Sequence, residues 1–129
     1  MLPQFAWAQA VLANRRPFLS VGFKHGVHST QMPDGSWNLW VRVGPKNGNV
    51  STVRLLLQVA EDENFDAIIA EQIHIARKEI SYIVRTNFST KLSLPELYFR
   101  FVALDSGLPE NLKAVQVSPI GVLVNSAMN

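Results

Sequence analysis

The stretch Gly35-Ser36-Trp37-Asn38-Leu39-Trp40-Val41-Arg42-Val43-Gly44-Pro45 decides the fold class of this 129-residue chain. It combines two tryptophans with large aliphatic side chains, and turn-forming residues bracket it, Asp34 before it and Gly44-Pro45 at its end. Such a run is typical of a β-strand with at least one buried face. The rest of the chain makes sense as further strands that pack around this one.

Trp40 interrupts an otherwise regular alternation in this stretch. Residues of one parity are apolar, whereas Trp40 shares the other parity with the polar residues Asn38 and Arg42. Two interpretations remain open: Trp40 covers a groove on the outer face of the sheet, or a β-bulge shifts the register. An exposed Trp40 is a candidate contact residue, because aromatic side chains dominate the energy of protein interfaces.

The segments on both sides of this stretch also predict strands. These strands cover residues 18–27, 37–43, 53–59, 65–76, 80–88, 97–104 and 113–117, and residues 121–124 extend or follow the last of them. Turn signals such as Pro33-Asp34-Gly35 and Asn47-Gly48 separate them. About seven short strands without a clear helix between them predict an all-β, two-layer antiparallel sandwich of the immunoglobulin or fibronectin type III kind. A closed barrel is the alternative.

Residues 1–16 differ in composition from the remainder of the chain. They are rich in alanine and apolar residues, which predicts a short helix or an arm laid against one β-sandwich domain of residues 17–129. Phe5 and Trp7 are the candidate anchors if this arm binds a partner. Together with Trp40 they form the predicted interaction surface.

Composition excludes several classes of protein. Twelve basic and ten acidic residues leave a net charge of +2, and the basic residues are scattered, so we expect no nucleic-acid partner. The chain has no cysteine, which excludes disulfides and thiolate chemistry. No apolar run approaches the roughly 20 residues that a membrane-spanning helix needs. Arg15-Arg16 imitates a twin-arginine export signal, but no apolar stretch follows, so we predict no signal peptide in this chain.

No group of residues in the sequence predicts catalysis, a metal site or a cofactor. His25 and His28 stand three apart, and such positions point to opposite faces of a strand. The acidic run Glu61-Asp62-Glu63-Asn64 lacks the oxygen spacing of a calcium loop. No nucleophile elbow and no phosphate-binding loop occurs. Tyr98 is a candidate for a tyrosine corner, in which the hydroxyl group bonds to a nearby backbone group.

Several short segments form an ordered series along the chain. They are Phe23-Lys24-His25-Gly26-Val27-His28-Ser29, Pro33-Asp34-Gly35, Leu39-Trp40-Val41-Arg42-Val43, Val59-Ala60-Glu61-Asp62-Glu63-Asn64-Phe65, Leu94-Pro95-Glu96-Leu97-Tyr98-Phe99-Arg100-Phe101 and Ser118-Pro119-Ile120-Gly121. In this order they resemble the N-terminal domain of alkaline phosphatase D-type metallophosphatases, over residues 17–124. The resemblance implies a fibronectin type III-like sandwich that precedes a separate catalytic metallophosphatase domain, in an exported or periplasmic protein.

The chain departs from that family's pattern in two places. Ser29-Thr30-Gln31 stands where the family has Ser-Gly-Asp, and the ligand motifs of the catalytic domain do not occur. We therefore carry over no catalytic residue and predict a non-catalytic accessory domain, whose partner is a metallophosphatase domain. The alternative is a free-standing module that recognises a protein, a glycan or a second copy of itself.

Overall fold

A computed structural model describes residues 21–23, 25–45, 50–105 and 113–126. The predicted arm of residues 1–16, with Phe5 and Trp7, lies outside the described residues. The described part contains ten β-strands and one short 3₁₀ helix, Lys78–Ile80. The strands are β1 (Val21–Gly22), β2 (Val27–Gln31), β3 (Trp37–Arg42), β4 (Gly44–Pro45), β5 (Thr52–Ala60), β6 (Ile68–Arg77), β7 (Ile83–Phe88), β8 (Glu96–Asp105), β9 (Lys113–Val117) and β10 (Gly121–Val124).

The strands form two main antiparallel sheets. The large sheet has the order β10-β8-β5-β6, and β9 also pairs with β8. The small sheet has the order β2-β3-β7, so the strand predicted first from the sequence is its centre. A separate pair joins β1 to β4. The all-β prediction and the antiparallel sandwich are therefore confirmed.

The core lies between the two sheets, and alternation along each strand decides which residues enter it. On β3, β5 and β8 the side chains that enter this core share one parity, and these three strands supply most of the core. Burying one large aliphatic or aromatic side chain stabilises a fold by about 1.5–3 kcal/mol. The residues of these strands that enter the core are Trp37, Leu39, Val41, Val53, Leu55, Leu57, Val59, Leu97, Phe99, Phe101 and Ala103.

Hydrogen bonds join the small sheet to the end of the last strand. The indole Nε1 of the buried Trp37 donates to the carbonyl oxygen of Val124, at 3.2 Å. Beside it, the side chain of Gln31 donates to Asn125 Oδ1 at 3.3 Å and accepts from the Ser126 hydroxyl group at 2.7 Å. Trp37 thus packs into the core and also holds β10 against the small sheet.

In the part that the structure describes, the strand predicted over residues 18–27 is not continuous. In the described part, a turn separates the two-residue strand β1 from β2, which begins only at Val27. Gly26 adopts a φ of 66°, a conformation that glycine reaches without steric cost, and its N–H donates to the carbonyl oxygen of Phe23 at 3.2 Å. The chain therefore reverses where the sequence was expected to stay extended.

The tyrosine that bonds to a distant backbone group is Tyr82, and the prediction for Tyr98 is wrong. The Tyr82 hydroxyl group donates to the carbonyl oxygen of Val50, 32 positions away in the sequence. The Tyr98 hydroxyl group donates to the Glu96 carboxylate on its own strand, at 3.1 Å, which raises the Tyr98 pKa. Tyr98 lies on the outward side of β8, away from the core.

We expect Gly121→Ala to lower the free energy of unfolding by about 1–3 kcal/mol. A Cβ atom at this position would overlap with the Phe99 ring, which is fully buried and has no room to move. Gly44→Ala is the matched control, because the nearest atom to its added Cβ is 3.9 Å away. Urea denaturation of both variants measures the difference. Equal stability of the two variants would contradict the close packing at Gly121.

We expect Tyr82→Phe to lower the free energy of unfolding by about 1 kcal/mol, because the Val50 carbonyl group loses its partner. Tyr98→Phe removes only a bond to the exposed Glu96, so its effect should stay within about 0.5 kcal/mol. Thermal unfolding followed by circular dichroism compares the two variants. A larger effect for Tyr98→Phe would refute the assignment of the corner to Tyr82.

Candidate interaction surface

Trp40 lies at the centre of the outer face of the small sheet. The strand register places His28 of β2 and Arg85 of β7 directly beside it, one on each side. Neither pairing shows a register shift at Trp40, so the structure supports the groove interpretation over the bulge. We name this surface the Trp40 groove; it has a volume of about 380 Å³ and is lined by His28, Thr30, Asn38, Leu39, Trp40, Arg85, Thr86 and Asn87.

The His28 ring packs against the indole of Trp40. The two ring centroids are 4.8 Å apart and the planes meet at 63°, an edge-to-face arrangement. His28 Nε2 donates to the carbonyl oxygen of His25, at 2.7 Å. His28 thus contacts Trp40 with its ring and the backbone with Nε2, and it holds Trp40 in place.

A row of polar side chains forms the other end of the groove. The Asn87 amide nitrogen donates to Asn38 Oδ1 and to the Ser36 hydroxyl oxygen, each at 2.9 Å. The Ser36 hydroxyl group in turn donates to the Asp34 carboxylate at 2.6 Å, and this bond holds the pKa of Asp34 below its usual value. These bonds fix the orientation of the Asn87 amide, and its Oδ1 atom is available as an acceptor.

Arg85 supplies the charge of the groove. Its side chain is exposed and makes no ion pair or hydrogen bond with another residue of the described ranges. The described residues that line the groove include no aspartate or glutamate. The groove thus offers an indole, a guanidinium group and oriented amide and hydroxyl groups, which together suit binding.

In the acidic turn, the side chain of Asp62 binds backbone groups of the residues that follow it. The carboxylate of Asp62 accepts the backbone N–H groups of Asp66 and Ala67, at 3.1 and 2.9 Å. The bond from Ala67 makes the largest contribution to lowering the pKa of Asp62. In the part of the chain that the structure describes, no group of three or more histidine and carboxylate side chains is placed to hold a metal ion.

Sequence reasoning missed a polar row across the large sheet. Gln58 is only 2% exposed, and its amide nitrogen donates to Glu71 Oε2 at 2.9 Å. Arg100 Nε donates to the Gln58 amide oxygen at 2.7 Å, and the guanidinium group lies 4.2 Å from the Phe65 ring centroid. Burial lowers the pKa of Arg100, and Glu71 opposes that effect. The signal in the sequence was a polar residue inside an apolar strand, but only the register identifies its partners.

Of the predicted contact residues, the structure describes Trp40 alone, because Phe5 and Trp7 lie outside the described residues. The predicted interaction surface of the three residues therefore stays a prediction. Within the described ranges, no helix has the length and apolar character to span a membrane.

Comparisons with known proteins agree on one family. The family model described as "PhoD-like phosphatase, N-terminal domain" matches residues 6–122. The solved structure entitled "Structure of PhoD" is similar to this chain with a TM-score of 0.62 and 25% sequence identity. That match covers 84% of this chain and 20% of PhoD, so the chain spans about a fifth of PhoD. No curated protein matches the chain.

We expect Trp40→Ala to lower the free energy of unfolding by about 1 kcal/mol or less, since Trp40 is half-buried on the outer face. Trp37→Ala should cost about 3–5 kcal/mol, because Trp37 fills the core. Urea denaturation of the two variants gives both values. A similar cost for the two substitutions would show that Trp40 is a structural residue.

Proposed function

The chain belongs to the family of PhoD-like phosphatase N-terminal domains, and from this membership we propose that it is a non-catalytic accessory domain that packs against a metallophosphatase catalytic domain. The family match, which covers nearly the whole chain, is the observation that supports the proposal. The PhoD match adds to it, because four-fifths of PhoD lies beyond the region that resembles this chain.

The chemistry of phosphoester hydrolysis supports separate roles for the catalytic domain and for this chain. Metal-assisted hydrolysis needs several ligands that hold the ions and activate water. The surface found on this chain has a different character, because the Trp40 groove combines the rings of Trp40 and His28 with the Arg85 guanidinium group and two side-chain amides. In the proposed complex the partner domain carries the metal ions, and this chain contributes a rigid surface.

A free-standing binding module is the second candidate function. The half-buried Trp40 in an open groove favours it, since tryptophans on such surfaces frequently anchor a bound protein or sugar. In that case the groove would recognise a protein, a glycan or a second copy of the chain.

Co-expression with the part of PhoD that lies beyond the matched region tests the accessory role. We expect the 129-residue chain to co-purify with that part, and the complex to hydrolyse a chromogenic phosphodiester in the presence of divalent metal ions. The purified chain alone should show no hydrolysis under the same conditions. Its own folding is checked by circular dichroism.

One result would refute the accessory role: a PhoD catalytic part that is soluble and active but does not retain the chain. Hydrolysis by the chain alone would overturn the non-catalytic assignment.

A further inference from the structure

Resting on the proposed function, we infer that the Trp40 groove is the surface that docks on the catalytic domain. The segment it takes from that domain is an extended peptide in which a flat apolar side chain, proline or aromatic, stands close to a carboxylate. The positions of Trp40, Arg85 and the side-chain amides of Asn38 and Asn87 determine this chemistry.

The volume of the groove sets the size of what it accepts. About 380 Å³ lies at the lower end of the range for ligand pockets in proteins, so a few residues of a peptide fit and a folded element does not. A peptide cannot add as a strand to β3, because both edges of β3 are already paired with β2 and β7. Recognition at Trp40 therefore uses the side chains on the sheet face.

Trp40 provides the apolar contact. It is half-buried, and the His28 ring packs edge-to-face against it, so it presents a fixed surface rather than a mobile one. Grooves of this kind bind proline-rich and aromatic segments through flat contacts with the indole. Fixing the indole before binding reduces the entropy that association costs.

Arg85 provides the charge selection. It lies beside Trp40 on the neighbouring strand, where the Cα atoms of directly paired residues are about 5 Å apart. No carboxylate among the described lining residues neutralises it. A guanidinium group forms two parallel hydrogen bonds with a carboxylate, and such bonds are about twice as strong as neutral ones. A neutral sugar would leave this charge without a counter-ion, which favours an acidic peptide over a neutral glycan.

Exposed isoleucines on the large sheet form the competing surface. Ile73 and Ile75 of β6 are 49% and 41% exposed, and both lie on the outer face of the edge strand. The exposed Arg77 lies two positions beyond Ile75 on the same strand, but no tryptophan of the described residues lies beside the isoleucines. They therefore lack the aromatic anchor that usually dominates binding energy. Ile73 therefore serves as a control position.

Binding affinities of groove variants for the co-expressed PhoD part test the inference. We expect Trp40→Ala and Arg85→Glu each to raise the dissociation constant by about 30-fold or more, as substitutions of central contact residues do. Arg77→Glu is the charge-matched control, because Arg77 is exposed on β6 of the large sheet and does not line the groove. Arg77→Glu and Ile73→Ala should stay within about twofold of the unchanged chain.

Salt dependence separates the charge contact from the apolar contact. The affinity of the unchanged chain should fall between 0.05 and 0.5 M salt by roughly tenfold, and that of Arg85→Gln should change much less. Circular dichroism of every variant confirms that its fold is retained. A variant that fails this check is replaced by Trp40→Phe or Arg85→Lys, for which we expect a smaller loss of affinity in the same direction.

The outcomes distinguish this inference from the proposed function. If the unchanged chain binds and the groove variants bind equally well, the inference is wrong and the accessory role stands. If the unchanged chain does not bind, the accessory role fails. Binding of a neutral oligosaccharide that depends on Trp40 but not on Arg85 would assign the groove to carbohydrate and overturn the peptide.

Discussion

The two-residue period of β3 places Trp37 and Trp40 on opposite faces of the small sheet. Their separation of three positions makes this unavoidable once the strand is regular, and the pairing of β3 with β2 and β7 keeps it regular. One tryptophan therefore packs into the core and bonds to the end of β10, while the other stands on the outer face. The core and the candidate surface both depend on this single alternation.

Sequence reasoning succeeded where alternation was strong and failed where a turn or the register decided. The strands around Leu55 and Phe99 were predicted because their apolar residues alternate or cover both faces. The strand over residues 18–27 failed because Gly26 reverses the chain within a segment of weak alternation. The candidate Tyr98 was wrong, and Tyr82 was not identified, because the tyrosine corner depends on contacts across the fold, which no local pattern contains.

The Trp40 groove shows more clearly that a local sequence pattern does not identify contacts between distant residues. Sequence identified Trp40 by its parity, but its neighbours His28 and Arg85 are 12 and 45 positions away in the chain. Only the register of three strands brings them together. In the proposed complex this arrangement would let a small domain contribute binding specificity while the catalytic groups belong to its partner.

The buried Gln58 has a consequence for how the large sheet assembles. Its amide bridges Glu71 of β6 and Arg100 of β8, which are aligned only in one pairing of the three strands. A slip by one residue would leave a buried amide without partners, at a cost of about 1–3 kcal/mol. Apolar strands such as β5 are otherwise tolerant of sliding, because many shifted pairings still bury aliphatic side chains. One polar residue thus specifies the register of an apolar central strand, because pairings that are shifted along the strand are higher in free energy.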